Sequence, residues 1–195
     1  DGDYYYYVYL RDFYPDIKKS TTLSSLTSRE VQRIVKEWKK RSIPVKAMNA
    51  ITLKNHGYRT LATSVLASLN EYSVSNPSQG MWWPSLDDMT TWSMGKIGAT
   101  SIVLDAFAAI DPQSPDVDKI RQWLILQKEA KDWGTSVTTS QAIASILLTG
   151  SKWTTPAAKA TVTVNNREVN AGKTDRLLGY FRENISSMSP SGATL

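Results

Sequence analysis

Two segments of this chain, IGATSIVLDAF from Ile97 to Phe107 and VTTSQAIASIL from Val137 to Leu147, carry the same apolar pattern at an offset of about 40 residues. Each follows a tryptophan, Trp92 or Trp133, and each comes after another stretch of helical spacing. A unit of that size cannot bury its apolar face alone, so it is driven to stack on its neighbour. The connection before Trp92 is much longer than the one before Trp133. What repeats is therefore the helix pair, and the chain is constrained towards an array of helical hairpins.

The remaining periodicity agrees. Thr27 with Glu30 has the form of a capping box, and Val31, Ile34, Val35 and Trp38 fall on one face, which predicts a helix over 28–41. Pro44 suits the first turn of a second helix, and Asn55, His56 and Gly57 suit its end. Tyr58, Leu61, Ala62, Val65, Leu66 and Leu69 form an unbroken stripe that predicts a third helix ending near Tyr72. Gly, Pro, Ser and Asp in NPSQGMWWPSLDDMTTWSMG predict loop rather than strand. A fourth stripe runs from Ala99 to Ile110 and is closed by Asp111-Pro112. Ser114 and Pro115 open a fifth helix, with Asp116 and Asp118 in its first turn and Lys128 in its last, the polarity a helix dipole favours. A sixth spans about 136–149 and stops at Gly150. The first 14 residues fit helix or strand equally. Beyond Trp153, ATVTVNNREVN alternates with period two around Asn165-Asn166, as a hairpin with positive φ at its turn would, and the tail from Ser186 is expected to be loose. The expected fold class is thus mainly α, with helical domain 1–153 and a β segment opening in 154–195.

Composition narrows the function. The chain has 195 residues and no cysteine, which excludes disulfides, thiolate metal sites, cysteine nucleophiles and thioesters within it. Its 23 Lys+Arg against 18 Asp+Glu are dispersed apart from Lys36, Lys39, Lys40 and Arg41, so no nucleic-acid partner is expected. No apolar run is long enough to span a bilayer, and direct membrane insertion is not expected. A start at Asp1 without Met is expected of a piece cut from a longer precursor. Seven Trp and nine Tyr are many for this length and point to core wedges before a recognition surface.

The segments GMWW, IGATSIVLDAF and IRQWLILQKEAKDWGTSVTTSQAIASILLTG together resemble the closing helices of the thioester-type α/α toroid in the bacterial, Bacteroides-type alpha-2-macroglobulin family. There an outer helix of the form W-L-x-x-Q-K runs into a W-x-T/S turn and an inner helix rich in Ala and Leu. YYYYVYLRDFYPDI and VKAMNAITLKNHGY resemble preceding toroid helices in the same order, and TVTVNNREVNAGK the start of the following β domain. The similarity covers about residues 4–153, and the order of several moderate matches carries it. It implies a partial α/α toroid of the terpenoid cyclase/alpha-2-macroglobulin type, an extracytoplasmic, periplasmic or outer-membrane-anchored setting, and a role within a broad protease trap. One departure matters: the Cys-Gly-Glu-Gln motif that acylates captured proteases is missing, so these residues cannot perform the covalent step.

Candidate chemistry is sparse. Terpene cyclases share the toroid and use Asp-x-Asp-Asp, but Ser85 stands where the first acid is needed before Asp87-Asp88. The metal-binding Asp-Asp-x-x-Asp fails at Thr91. A phosphate-loop reading of Gly172-Lys173-Thr174 fails at Arg167. His56, the one histidine, has no nucleophile context and is expected to fill a helix C-terminus. The basic cluster around Trp38 fits a solvated helix face, with an anion or partner contact as the alternative. Trp82, Trp83 and Trp92, with Asp87 and Asp88, are the candidate groove for a surface ligand such as a sugar, although two adjacent acids do not make the separated carboxylate pair a glycosidase needs. Trp123, Trp133 and Gly134 are expected to be structural joints, with Lys128 and Lys131 closing the outer helix and Thr135 or Ser136 capping the inner one. The expectation is a non-enzymatic structural and interaction module with no cofactor or metal, whose partners are other domains of a parent protein and, through it, proteases. The alternative is a carbohydrate-active or carbohydrate-binding α/α toroid.

Overall fold

The computed structural model describes residues 4–87, 95–130 and 133–150, together with short strands within 151–195. Asp88, Trp92, Lys131, Trp153, the turn at 165–166 and the tail lie outside the described residues. The chain divides into two compact units, Asp1–Gly150 and Ser151–Leu195.

The first unit is mainly helical. Its α-helices are α1 (Tyr4–Arg11), α2 (Thr21–Glu37), α3 (Ile43–Asn55), α4 (Arg59–Glu71), α5 (Gly95–Ile110), α6 (Pro115–Ala130) and α7 (Ser136–Thr149). They alternate between two layers. The odd-numbered helices pack side by side in the order α1, α3, α5, α7, while α2, α4 and α6 each lie across the two odd helices that flank them in sequence. Burial follows this order. On α3, Ala47, Met48, Asn49, Ala50, Ile51, Thr52 and Leu53 are all buried, and α5 is buried from Ile97 to Leu104. On α4 just Ala62, Val65, Leu66 and Leu69 are buried, the single stripe of a half-exposed helix. Each buried Leu, Ile or Val contributes about 1.5–3 kcal/mol, so the odd layer carries the core.

The second helix, α2, begins earlier than the sequence suggests. Its N-cap is Ser20, whose Oγ accepts from Leu23 N at 3.2 Å. Thr27 does not form a capping box: its Oγ1 donates back to Leu23 O at 2.8 Å, and Glu30 pairs with Arg33 at 2.8 Å. The Ser/Thr-rich first turns have weak intrinsic helix preference and are largely exposed, and the residues that α2 buries, Thr27, Glu30, Val31 and Ile34, begin two turns into the helix. The helix also ends earlier, at Glu37, and Trp38–Lys40 form a 3-10 turn.

The long connection after α4 is the second correction. It holds an antiparallel hairpin, β1 (Val74–Asn76) and β2 (Gly80–Trp82), in which Val74 faces Trp82 and Asn76 faces Gly80. The residues that argued for loop form its turn: Asn76 Oδ1 accepts from Ser78 N at 2.8 Å, and Gly80 takes φ +82°. A 3-10 turn, Pro84–Leu86, follows.

In the second unit, β3 (Val162–Val164) pairs antiparallel with β4 (Arg167–Val169), so that Val164 faces Arg167 across the predicted Asn165-Asn166 turn. A further pair joins β5 (Thr174–Asp175) to β6 (Tyr180–Phe181).

Candidate functional site

Alternate positions on β2 point to opposite sides, and this separates the candidate tryptophans. Trp82 is partly buried against the edge of the core. Trp83, just after the strand, is 1% exposed; its Nε1 donates to Leu69 O at 2.7 Å and its ring packs on Phe107 with centroids 6.3 Å apart. A ring so enclosed cannot stack on a sugar, so Trp83 is withdrawn from the groove. Asp87 is exposed and pairs with Lys96 at 3.3 Å. Among the described residues the proposed groove therefore retains Trp82 and Asp87, and no group of three or more metal-ligating side chains is present.

The joint residues behave differently. Trp133 is buried, and its Nε1 donates to Leu124 O at 2.9 Å, tying the α6–α7 corner to the outer helix. Gly134 has φ +83° and lets the chain turn, after which Thr135 caps α7 by accepting from Thr138 N at 3.3 Å. Trp123 is buried on α6, where the β1–β2 hairpin lies against the helix so closely that a Cβ on Gly80 would collide with Lys119 O and Trp123 N. Trp83 makes the same kind of bond as Trp133, from indole N–H to a leucine carbonyl of the preceding even-numbered helix, while Trp92, the counterpart of Trp133 on the sequence, lies outside the described residues.

His56 is the C-cap of α3, and its Nε2 lies 3.1 Å from Asp12 Oδ1, joining the α3 end to the segment after α1. Of the basic cluster, Lys36, Lys39 and Lys40 are exposed, Lys39 Nζ stands 5.8 Å from the Trp38 ring centroid, and Arg41 pairs with Glu37 at 2.8 Å.

Three features were not singled out from the sequence. Asp105 lies in the middle of α5, accepts a hydrogen bond from Ser145 on α7, and has its carboxyl pushed up to about 7 by burial. The same carboxylate, after burial itself, raises the phenol of Tyr9 on α1. A lone acid inside the apolar run IVLDAFAAI was the available signal. Arg121 is buried on α6, pairs with Asp118 and donates to Thr149 O at 2.7 Å, closing the last turn of α7. Lys46, on the almost wholly buried α3, is the third.

The edge helices expose apolar side chains. Val137, Ile143, Leu147 and Leu148 are exposed on α7, Leu148 at 86%, and Tyr4, Tyr6 and Leu10 are exposed on α1. In the repeat, Val137, Ile143 and Leu147 hold the places of Ile97, Val103 and Phe107, which are all buried on α5. No helix among the described residues is long and apolar enough to cross a membrane. Comparison with protein-family models, curated proteins and solved structures finds no match for the chain.

Proposed function

We propose that the chain is a non-catalytic structural and interaction module of a larger protein of the alpha-2-macroglobulin type, a protease trap acting outside the cytoplasm, in which the two helical layers form part of an α/α toroid. The observation that carries this reading is the difference between equivalent faces of the repeat. Ile97, Val103 and Phe107 are buried on α5, while Val137, Ile143 and Leu147 offer the same pattern to solvent on α7. Stacked hairpins bury such a face against the next unit, and an uncovered apolar face of this kind marks a place where protein docks. The alternation of layers also matches what a toroid requires. The assignment to this family in particular rests on the ordered sequence resemblance, and partners are other domains of the parent protein.

The test is made on the parent protein that the reading implies. It slows cleavage of a protein substrate by an endopeptidase while sparing hydrolysis of a small peptide, and Leu147→Glu with Leu148→Glu weakens that protection. A parent protein that leaves cleavage of both substrates untouched overturns the reading. The carbohydrate alternative gains support from saturable tryptophan fluorescence changes with a polysaccharide that are lost in Trp82→Ala or Asp87→Ala.

A further inference from the structure

Where α3 begins, an open pocket of about 470 Å³ is lined by Arg41, Lys46 and Tyr72 together with Ile43, Pro44 and Leu86. Lys46 is 8% exposed, and no carboxylate pairs with it among the described residues. Its Nζ makes one long hydrogen bond, 3.4 Å to Ser68 Oγ, and stands 5.2 Å from the Tyr72 ring centroid. An ammonium group has three donors, and burying it without a counter-charge is costly. A hydroxyl at that distance and the face of one ring offset little of that cost. Lys46 lines the pocket beside the N-terminus of α3, where the helix dipole adds positive potential. Ser42, the N-cap, also lines the pocket and makes no side-chain capping bond.

We propose that this pocket binds an organic monocarboxylate through Lys46, with the apolar body of the ligand against Ile43, Pro44, Leu86 and the Tyr72 ring. The charge balance selects a monoanion. Arg41 already holds Glu37 at 2.8 Å, so Lys46 contributes the uncompensated positive charge. The predominance of apolar atoms on the wall selects a carboxylate carried on an apolar group over a compact, strongly hydrated phosphate. A free aromatic acid and the C-terminal residue of a peptide share this chemistry. The site is independent of the proposed role in a protease trap.

The experiment titrates the full 195-residue chain with 3-phenylpropionate, its neutral amide, N-acetylphenylalanine and inorganic phosphate, following backbone amide shifts around Val45 and Lys46. The two carboxylates bind at least about tenfold more tightly than the amide or phosphate, since one charge-assisted contact is worth about 1.4 kcal/mol or more. The tighter of the two identifies the source as a free acid or a peptide terminus. Lys46→Met abolishes the preference for acid over amide, and Lys46→Arg keeps it. Arg41→Gln, at a half-exposed position outside the core, leaves the Glu37 charge uncompensated and so weakens carboxylate binding more than amide binding, and it serves if Lys46→Met does not fold. Equal binding of acid and amide, tighter binding of phosphate, or an unchanged preference in Lys46→Met overturns the proposal.

Discussion

Asp105 on α5 accepts a hydrogen bond from Ser145 on α7, and the two residues hold equivalent places in the repeated helices. The contact ties neighbouring repeats through the same position of each, yet it leaves the carboxyl largely buried with no cation paired to it among the described residues.

That carboxyl makes stability depend on pH. Its pKa rises from 3.8 to about 7 on folding, so between those values the folded chain holds more protons than the unfolded one. The contribution of Asp105 to stability is therefore full below about 4, falls as pH rises towards 7, and stays lost above it. Asp105→Asn keeps a hydrogen-bonding group and carries no charge, so it flattens the profile in that window and raises the melting temperature at pH 8. Melting curves of both proteins from pH 4 to 8 check this; parallel profiles count against it.

Trp83 and Trp133 are expected to be core residues of equal weight. Each donates its indole N–H to a leucine carbonyl on the preceding even-numbered helix, Leu69 or Leu124. Trp83→Ala and Trp133→Ala each lower stability by about 3–5 kcal/mol, whereas Trp82→Ala costs about 1 kcal/mol. Urea denaturation ranks the three, and a large effect at Trp82 with a small one at Trp83 would reverse the assignment.

Gly80 and Gly134 have the same backbone conformation, φ +82° and +83°, but different surroundings. A methyl group on Gly80 meets backbone atoms of α6, while on Gly134 the nearest atom is Thr138 Oγ1 at 3.8 Å. Gly134→Ala therefore costs about 1–2 kcal/mol, for the left-handed conformation alone. Gly80→Ala adds about 1–3 kcal/mol of overpacking and displaces the hairpin from α6. Matched denaturation curves separate the two terms.

Arg121 bridges Asp118 on its own helix and the Thr149 carbonyl at the end of α7. A lysine ammonium cannot present the two separated donors of a guanidinium, so Arg121→Lys is expected to cost about 2 kcal/mol. The loss is local: amide hydrogens of Ile146 to Thr149 exchange faster, and those of α3 keep their protection.

Helical periodicity was legible wherever one face of a helix is polar. The stripe Leu61–Leu69 places α4 correctly, and Pro115 with Asp116, Asp118 and Lys128 marks α6 at both ends. Local signals misled where long-range contacts outweigh them. Thr27 and Glu30 have the spacing of a cap but sit inside α2, because the Ser20 hydroxyl caps the helix earlier and Thr27 is buried two turns further on. Gly80 and Asn76 signal a turn, and nothing local shows that the turn closes a hairpin pressed against α6. At the candidate groove, the sequence cannot tell Trp82 from Trp83.

By itself, the sequence determined the class of the fold, since recurring apolar stripes have no low-energy arrangement other than stacked helices. It also determined what chemistry is absent, because no cysteine is present to form a thioester or thiolate site. The tertiary structure alone decided which aromatic rings are enclosed, which cation is buried without an anion among the described residues, and which of two matching helix faces is covered. Each of these depends on the neighbour that a side chain meets across the layers, and that neighbour lies tens of residues away in the chain.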